Sequence, residues 1–85
     1  MNSKHRKTLQ AIFAQPISGT IKWARIEALL SAAGCAVTEG SGFSVTFEKD
    51  GRRAYFNRPH PEKEALRYRV AAVREFLDGQ LGVRP

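Results

Sequence analysis

The residues able to do chemistry crowd into one short stretch: Arg52, Arg53, Tyr55, Asn57, Arg58 and His60 lie within nine positions. Their types suit phosphate esters. Guanidinium groups pair with phosphate oxygens, a tyrosine ring stacks on a base, and an imidazole titrates near neutrality and can move a proton. Acid–base cleavage of RNA asks for little more: a base takes the ribose 2′-hydroxyl proton, cations stabilise the pentavalent phosphate, and an acid protonates the leaving 5′-oxygen. The arginines argue for RNA binding more directly than His60 argues for cleavage, because a histidine set between Pro59 and Pro61 can equally serve to hold a turn.

A β-hairpin must position these groups. Phe43, Val45 and Phe47 alternate with Ser44, Thr46 and Glu48, and Ala54 and Phe56 alternate with Arg53, Tyr55 and Asn57. That is the period of strands with one buried and one solvated face. Asp50-Gly51 between the runs supplies the positive-φ residues of a tight turn. Arg53, Tyr55 and Asn57 therefore project from the solvated face, and His60 follows at the strand end.

The surrounding periodicity supplies the support. Ser3 is the expected cap of a first helix to about Ala14, with Leu9, Ile12 and Phe13 on its buried side and Lys4, His5, Arg6 and Lys7 opening it. Pro16, Ser18 and Gly19 mark a loop. A helix from Lys22 to Ala33 carries the apolar stripe Trp23, Ile26, Leu29, Leu30 and ends at Gly34. Cys35 to Glu39 reads as a strand, with Cys35 a small buried hydrophobe. A last helix, starting between Glu62 and Leu66 and running to about Leu77, presents Leu66, Val70, Val73 and Leu77 to the sheet. Beside that stripe Lys63, Arg67 and Arg74 form a basic arc, open to phosphate or paired with Glu64, Glu75 and Asp78. Gly79 and Gly82 should end this helix, and Arg84-Pro85 should fray.

The order is helix, then αβββα: an α+β fold with a three-stranded antiparallel sheet, helices on one face and the other face open. Eighty-five residues suit one domain over 1–85, with an extra N-terminal helix at 3–14 and the αβββα core at 20–78. Fourteen Lys and Arg against eight Asp and Glu give a net charge of +6, which favours a polyanionic partner such as RNA, DNA or an acidic protein. One cysteine and two histidines exclude a disulfide and leave too few donors for a zinc cage, so no metal and no cofactor is expected. Without an apolar run long enough for a membrane span or a secretion signal, the expected location is the cytoplasm and no membrane partner is expected.

The helix from Trp23 to Leu30, the glycine after it, Gly40-Ser41 opening the hairpin, the Asp50-Gly51-Arg52 turn and Arg58-Pro59-His60-Pro61 before the last helix together resemble the HicA family of bacterial type II toxins, over most of residues 20–77. The resemblance implies a double-stranded-RNA-binding-domain-like αβββα fold, a metal-free mRNA interferase activity and a HicB-like antitoxin that covers the active site. It carries over Gly40 and Ser41 as residues framing the site. The family pattern there is Gly-Ser-His, with the histidine catalytic, whereas this chain has Gly40-Ser41-Gly42. His60 is then the remaining catalytic candidate, with Arg52, Arg53, Arg58, Lys63 and Arg67 expected to hold RNA phosphates and Tyr55 to stack on or orient the substrate. Two alternatives stay open: a module of the same fold that binds RNA without cutting it, and one that serves mainly to bind its protein partner.

Overall fold

The structure is a computed structural model that describes residues 2–60 and 63–85. Its elements run α1 (Ser3–Ile12), α2 (Trp23–Ala32), β1 (Ala36–Glu39), β2 (Ser44–Lys49), β3 (Arg52–Asn57) and α3 (Arg67–Glu75), followed by a π-helical turn over Phe76–Gln80. The three strands form one antiparallel sheet in the order β1-β2-β3. This is the α+β, αβββα layout with an additional N-terminal helix that the periodicity predicts.

The hairpin closes where expected. Asp50 (φ 52°) and Gly51 (φ 78°) both take the left-handed conformation, which matches the twist of strands joined by two residues, and Lys49 pairs with Arg52 across the turn. Val45, Phe47 and Phe56 are buried, and the Phe56 ring meets Trp23 edge-on at 5.4 Å. Such a contact adds about 0.5–1.5 kcal/mol to area burial. Phe43 departs from the pattern: it precedes β2 in a turn and is 78% exposed. Alternation extends only as far as the strand, so it does not carry Phe43 into the core.

The α2 stripe of Trp23, Ile26, Leu29 and Leu30 is fully buried. Gly34, at φ 100°, terminates the helix: the Gly34 N–H donates to Ser31 O and the Cys35 N–H to Leu30 O, the reciprocal closure that requires a left-handed residue. In α1 the cap is Asn2 in place of Ser3. Asn2 is extended, and its side-chain oxygen accepts from the His5 N–H at 2.8 Å, so Ser3 becomes the first helical residue. Leu9 and Ile12 are buried and Phe13 packs at the core margin. The helix stops at Ile12 rather than Ala14, before a loop with a cis Gln15–Pro16 bond.

The last helix differs more. Leu66 is its extended cap residue and is 59% exposed, while Ala65 takes the core position. The reason is a tertiary connection: Trp23 N–H donates to Lys63 O at 3.0 Å and Ala65 N–H to Ile21 O at 2.7 Å, holding residues 63–65 as a short bridge beside the start of α2. Helical phase therefore begins at Arg67, and Val70, Val73, Phe76 and Leu77 make the buried stripe. Gly79 does not end the helix, which continues through the π-helical turn to Gln80. Asp78 pairs with Arg84 at 2.5 Å.

Candidate functional site

The sheet face away from the helices carries three cross-strand rows: Glu48 with Arg53, Thr46 with Tyr55, and Ser44 with Asn57. Arg53 and Asn57 are exposed and Tyr55 is 64% exposed, so a cation, a ring and an amide stand along one strand facing solvent. Arg53 lies 3.4 Å from Glu48, a pair whose members are mostly in water and hold each other only weakly. The Tyr55 hydroxyl reaches Asn57 Oδ1 at 3.4 Å. Arg52 has the parity of Ala54 and Phe56, so it leaves the strand on the helix side, exposed at the turn end.

Beyond the strand, backbone bonds join two loops. Arg58 N–H donates to Phe43 O at 2.6 Å, which brings the Gly40–Phe43 turn alongside the segment leading to His60. That turn is closed on itself: Gly40 N–H donates to Ser44 O, and the Ser44 hydroxyl to Ser41 O at 2.9 Å. A Cβ on Gly40 would sit 2.2 Å from the Ser44 hydroxyl, so a larger residue there must turn that hydroxyl away from its bond to Ser41 O. Gly42 is the opposite case, with φ +64° and no atom within 4 Å of a Cβ. His60 is exposed and its carbonyl accepts from the Lys63 N–H at 2.9 Å; Pro61 lies outside the described residues.

Arg58 points away from the open face and is engaged by two carboxylates. Its Nε and Nη2 donate to the Glu27 oxygens of α2 at 2.6 and 3.0 Å, and Nη1 donates to Glu39 of β1 at 2.6 Å. Glu27 also accepts from the Trp23 indole N–H. The hydrogen bonds to Glu27 and then Glu39 raise the Arg58 pKa further above its ordinary value. This guanidinium joins strand, helix and sheet edge, and its cleft is lined by Trp23, Glu27 and Glu39.

Lys63 and Arg67 do not share an arc, because Lys63 precedes the helix. Lys63 lies on the bridge beside α2, while Arg67 Nε donates to Ile17 O at 3.2 Å and Arg74 donates to Ile12 O and Ala14 O at 2.9–3.0 Å. The two helical arginines thus hold the loop after α1. Two residues that the sequence reading left aside border the open-face row: Tyr68 and Arg69 line one cleft of about 220 Å³ with Tyr55 and Asn57. Tyr68 is 65% exposed, the Arg69 guanidinium lies 5.4 Å from its ring centre, and the buried Arg69 Nε has no hydrogen-bond partner. Adjacent aromatic and cationic residues off the apolar stripe were the available signal.

The order of these parts, a stripe-bearing helix, a glycine-framed turn, a tight hairpin and a final helix, agrees with a comparison against family models: that for the HicA toxin of bacterial toxin-antitoxin matches residues 23–77. The chain belongs to the HicA toxin family. The HicA match runs from the first residue of α2 to the buried Leu77 and leaves α1 outside. HicA membership makes this a toxin-antitoxin toxin and implies an antitoxin partner. No curated protein and no solved structure matches the chain. No helix among the described residues is long and apolar enough to cross a membrane.

Proposed function

We propose that this HicA toxin acts in the cytoplasm on mRNA, binding it across the open sheet face and cleaving it by side-chain acid–base chemistry, and that a HicB-like antitoxin neutralises it by covering that face. The supporting observation is the solvent-facing row of Arg53, Tyr55 and Asn57, extended by Tyr68 and Arg69 into a cleft lined by two exposed rings and a guanidinium. Bases stack on exposed rings largely irrespective of sequence, and guanidinium groups take the phosphates between them. In this reading His60 moves the proton. Arg52 and Lys63 are outlying phosphate contacts, Gly40 and Ser41 close the turn beside the site, and Gly42 leaves room for the RNA backbone to approach. Arg58 and Arg67, each already donating to protein oxygens, contribute through the shape of the site.

Gly42 favours a second reading, in which the chain binds RNA without cutting it, since glycine stands where the family pattern has its catalytic histidine. The two are separated by incubating purified protein with a labelled transcript in EDTA, beside His60→Ala and Gly42→His variants. Discrete cleavage lost in His60→Ala supports the first reading. RNA binding without cleavage in the wild type, with cleavage gained in Gly42→His, supports the second. The Cβ of the added histidine meets no atom within 4 Å, and its φ of +64° costs about 1–2 kcal/mol, so thermal melting checks that the variant is folded. Absence of RNA binding in every variant refutes both.

A further inference from the structure

The positive charge is not spread over the molecule. Residues 1–26 contain Lys4, Arg6, Lys7, Lys22 and Arg25 and no acidic residue, the first being Glu27, so this segment carries +5 of the net +6. The remaining residues are nearly balanced, with nine basic and eight acidic side chains. Folding sets Lys4, Lys7 and Arg25 along neighbouring helices, with Glu64 opposite Lys22. Lys4 and Lys7 are three apart on α1 and share a helix face, while Lys22 is the extended cap residue of α2 and Arg25 stands in that helix's first turn.

The two helices bring these pairs to one seam. Lys7, Lys22 and Arg25 line a cleft of about 270 Å³ together with the hydroxyl-bearing Ser18 and Thr20. Lys4, His5 and Arg25 line an adjoining one of about 150 Å³, the two sharing Thr8 and Arg25. Neither α1 nor α2 has an acidic residue in its first turn, where one would complement the helix dipole; cations stand there instead. Like charges packed at the positive ends of helices work against folding, and they are relieved when an anion enters.

We infer that the α1–α2 seam is a second, sequence-independent binding site for the sugar–phosphate backbone of RNA, separate from the open sheet face. The inference rests on the RNA reading of the function and adds a site built largely outside the family-matched residues. A polynucleotide fits better than an acidic protein. Protein interfaces are anchored by buried apolar and aromatic residues, and among the described residues the exposed large hydrophobic ones, Val37, Phe43, Tyr55, Leu66 and Tyr68, all lie elsewhere. Lysines and hydroxyls in an open cleft suit phosphate oxygens and leave bases unread.

The test compares the wild type with a Lys4→Gln/Lys7→Gln/Arg25→Gln variant and a charge-retaining Lys4→Arg/Lys7→Arg/Arg25→Lys variant. All three positions are exposed, and thermal melting checks that folding is kept. Binding is measured against salt for a long labelled single-stranded RNA and for a short oligonucleotide able to span only the sheet. Each phosphate contact contributes about 0.7 to the salt slope. The neutralised variant should lower that slope by about 2 for the long RNA and leave short-oligonucleotide affinity within about twofold, with the charge-retaining variant like the wild type. An unchanged slope for the long RNA, with the short RNA still bound, overturns the seam and spares the sheet-face reading. Binding of neither RNA by the wild type overturns both. Loss of affinity for the purified antitoxin, with RNA binding intact, assigns the seam to the protein partner and overturns the inference.

Discussion

Arg58→Ala should cost this domain about 2–3 kcal/mol, and the structure apportions that loss. The Glu27 leg consists of two short hydrogen bonds between side chains that are each 22% exposed. Its value falls between an exposed pair, worth under about 1 kcal/mol, and a fully buried pair, whose breaking costs about 3–5 kcal/mol. About 2 kcal/mol is reasonable for such partial burial. The Glu39 leg is as short, but that carboxylate is 71% exposed, so solvent screening leaves at most about 0.5 kcal/mol. Lost packing of the arginine stem adds a similar amount. For a domain of this size each kcal/mol moves the midpoint by roughly 4–8 °C, so the variant should melt about 10–20 °C lower. A double-mutant cycle with Glu27→Gln, followed by urea unfolding, should return a coupling of about 1.5–2 kcal/mol, and the cycle with Glu39→Gln about 0.5 or less. A loss below about 0.5 kcal/mol for Arg58→Ala, or equal coupling to both carboxylates, would refute this account. RNA affinity at a temperature where the variant is folded adds a second reading. A fall of more than about tenfold there would mean that Arg58 leaves Glu27 to hold phosphate.

Arg74→Met removes the bonds that cap the last carbonyls of α1 while keeping an apolar stem. It should cost about 1.5–3 kcal/mol and raise hydrogen exchange in α1 more than in the sheet. Burial pushes the Cys35 thiol above its usual 9.0, against a smaller opposing pull from the Lys49 ammonium. The folded state therefore favours the protonated thiol. Its contribution is complete below pH 9 and lost as pH rises through the raised folded value, so Cys35→Ala should flatten the alkaline fall in stability measured by urea titration.

What the sequence revealed was local. Asp50-Gly51 specifies its turn through residues that tolerate positive φ, and Trp23, Ile26, Leu29 and Leu30 define a face through spacing alone. The open-face row of Arg53, Tyr55 and Asn57 follows from alternation. The misreadings fall where distant chain segments decide. Leu66 has helical spacing, but backbone bonds from residues 63–65 to residues 21–23 delay the helix past it. The engagement of Arg58 by Glu27 and Glu39, 31 and 19 residues away, is likewise beyond local spacing. Arg67 and Arg74 read as a solvent-facing arc because the carbonyls they reach lie 50 to 62 positions earlier. Tyr68 and Arg69 were legible as an aromatic–cation pair, though their convergence with Tyr55 depends on how α3 meets the strand.

The closure of α1 by Arg74 also bears on how the chain is made. A protein is synthesised from its N-terminus, and α1 emerges before the later elements that bury Leu9 and Ile12. The guanidinium that ties it down arrives 62 residues later, from the same helix that supplies Val70, Val73 and Leu77 to the core. A growing chain holding only α1, α2 and the hairpin has the strand bearing Arg53, Tyr55 and Asn57 but neither the closed core nor the Tyr68–Arg69 side of its cleft. Completion of the last helix is thus the step that completes the surface, and a truncated product of the gene is left without it.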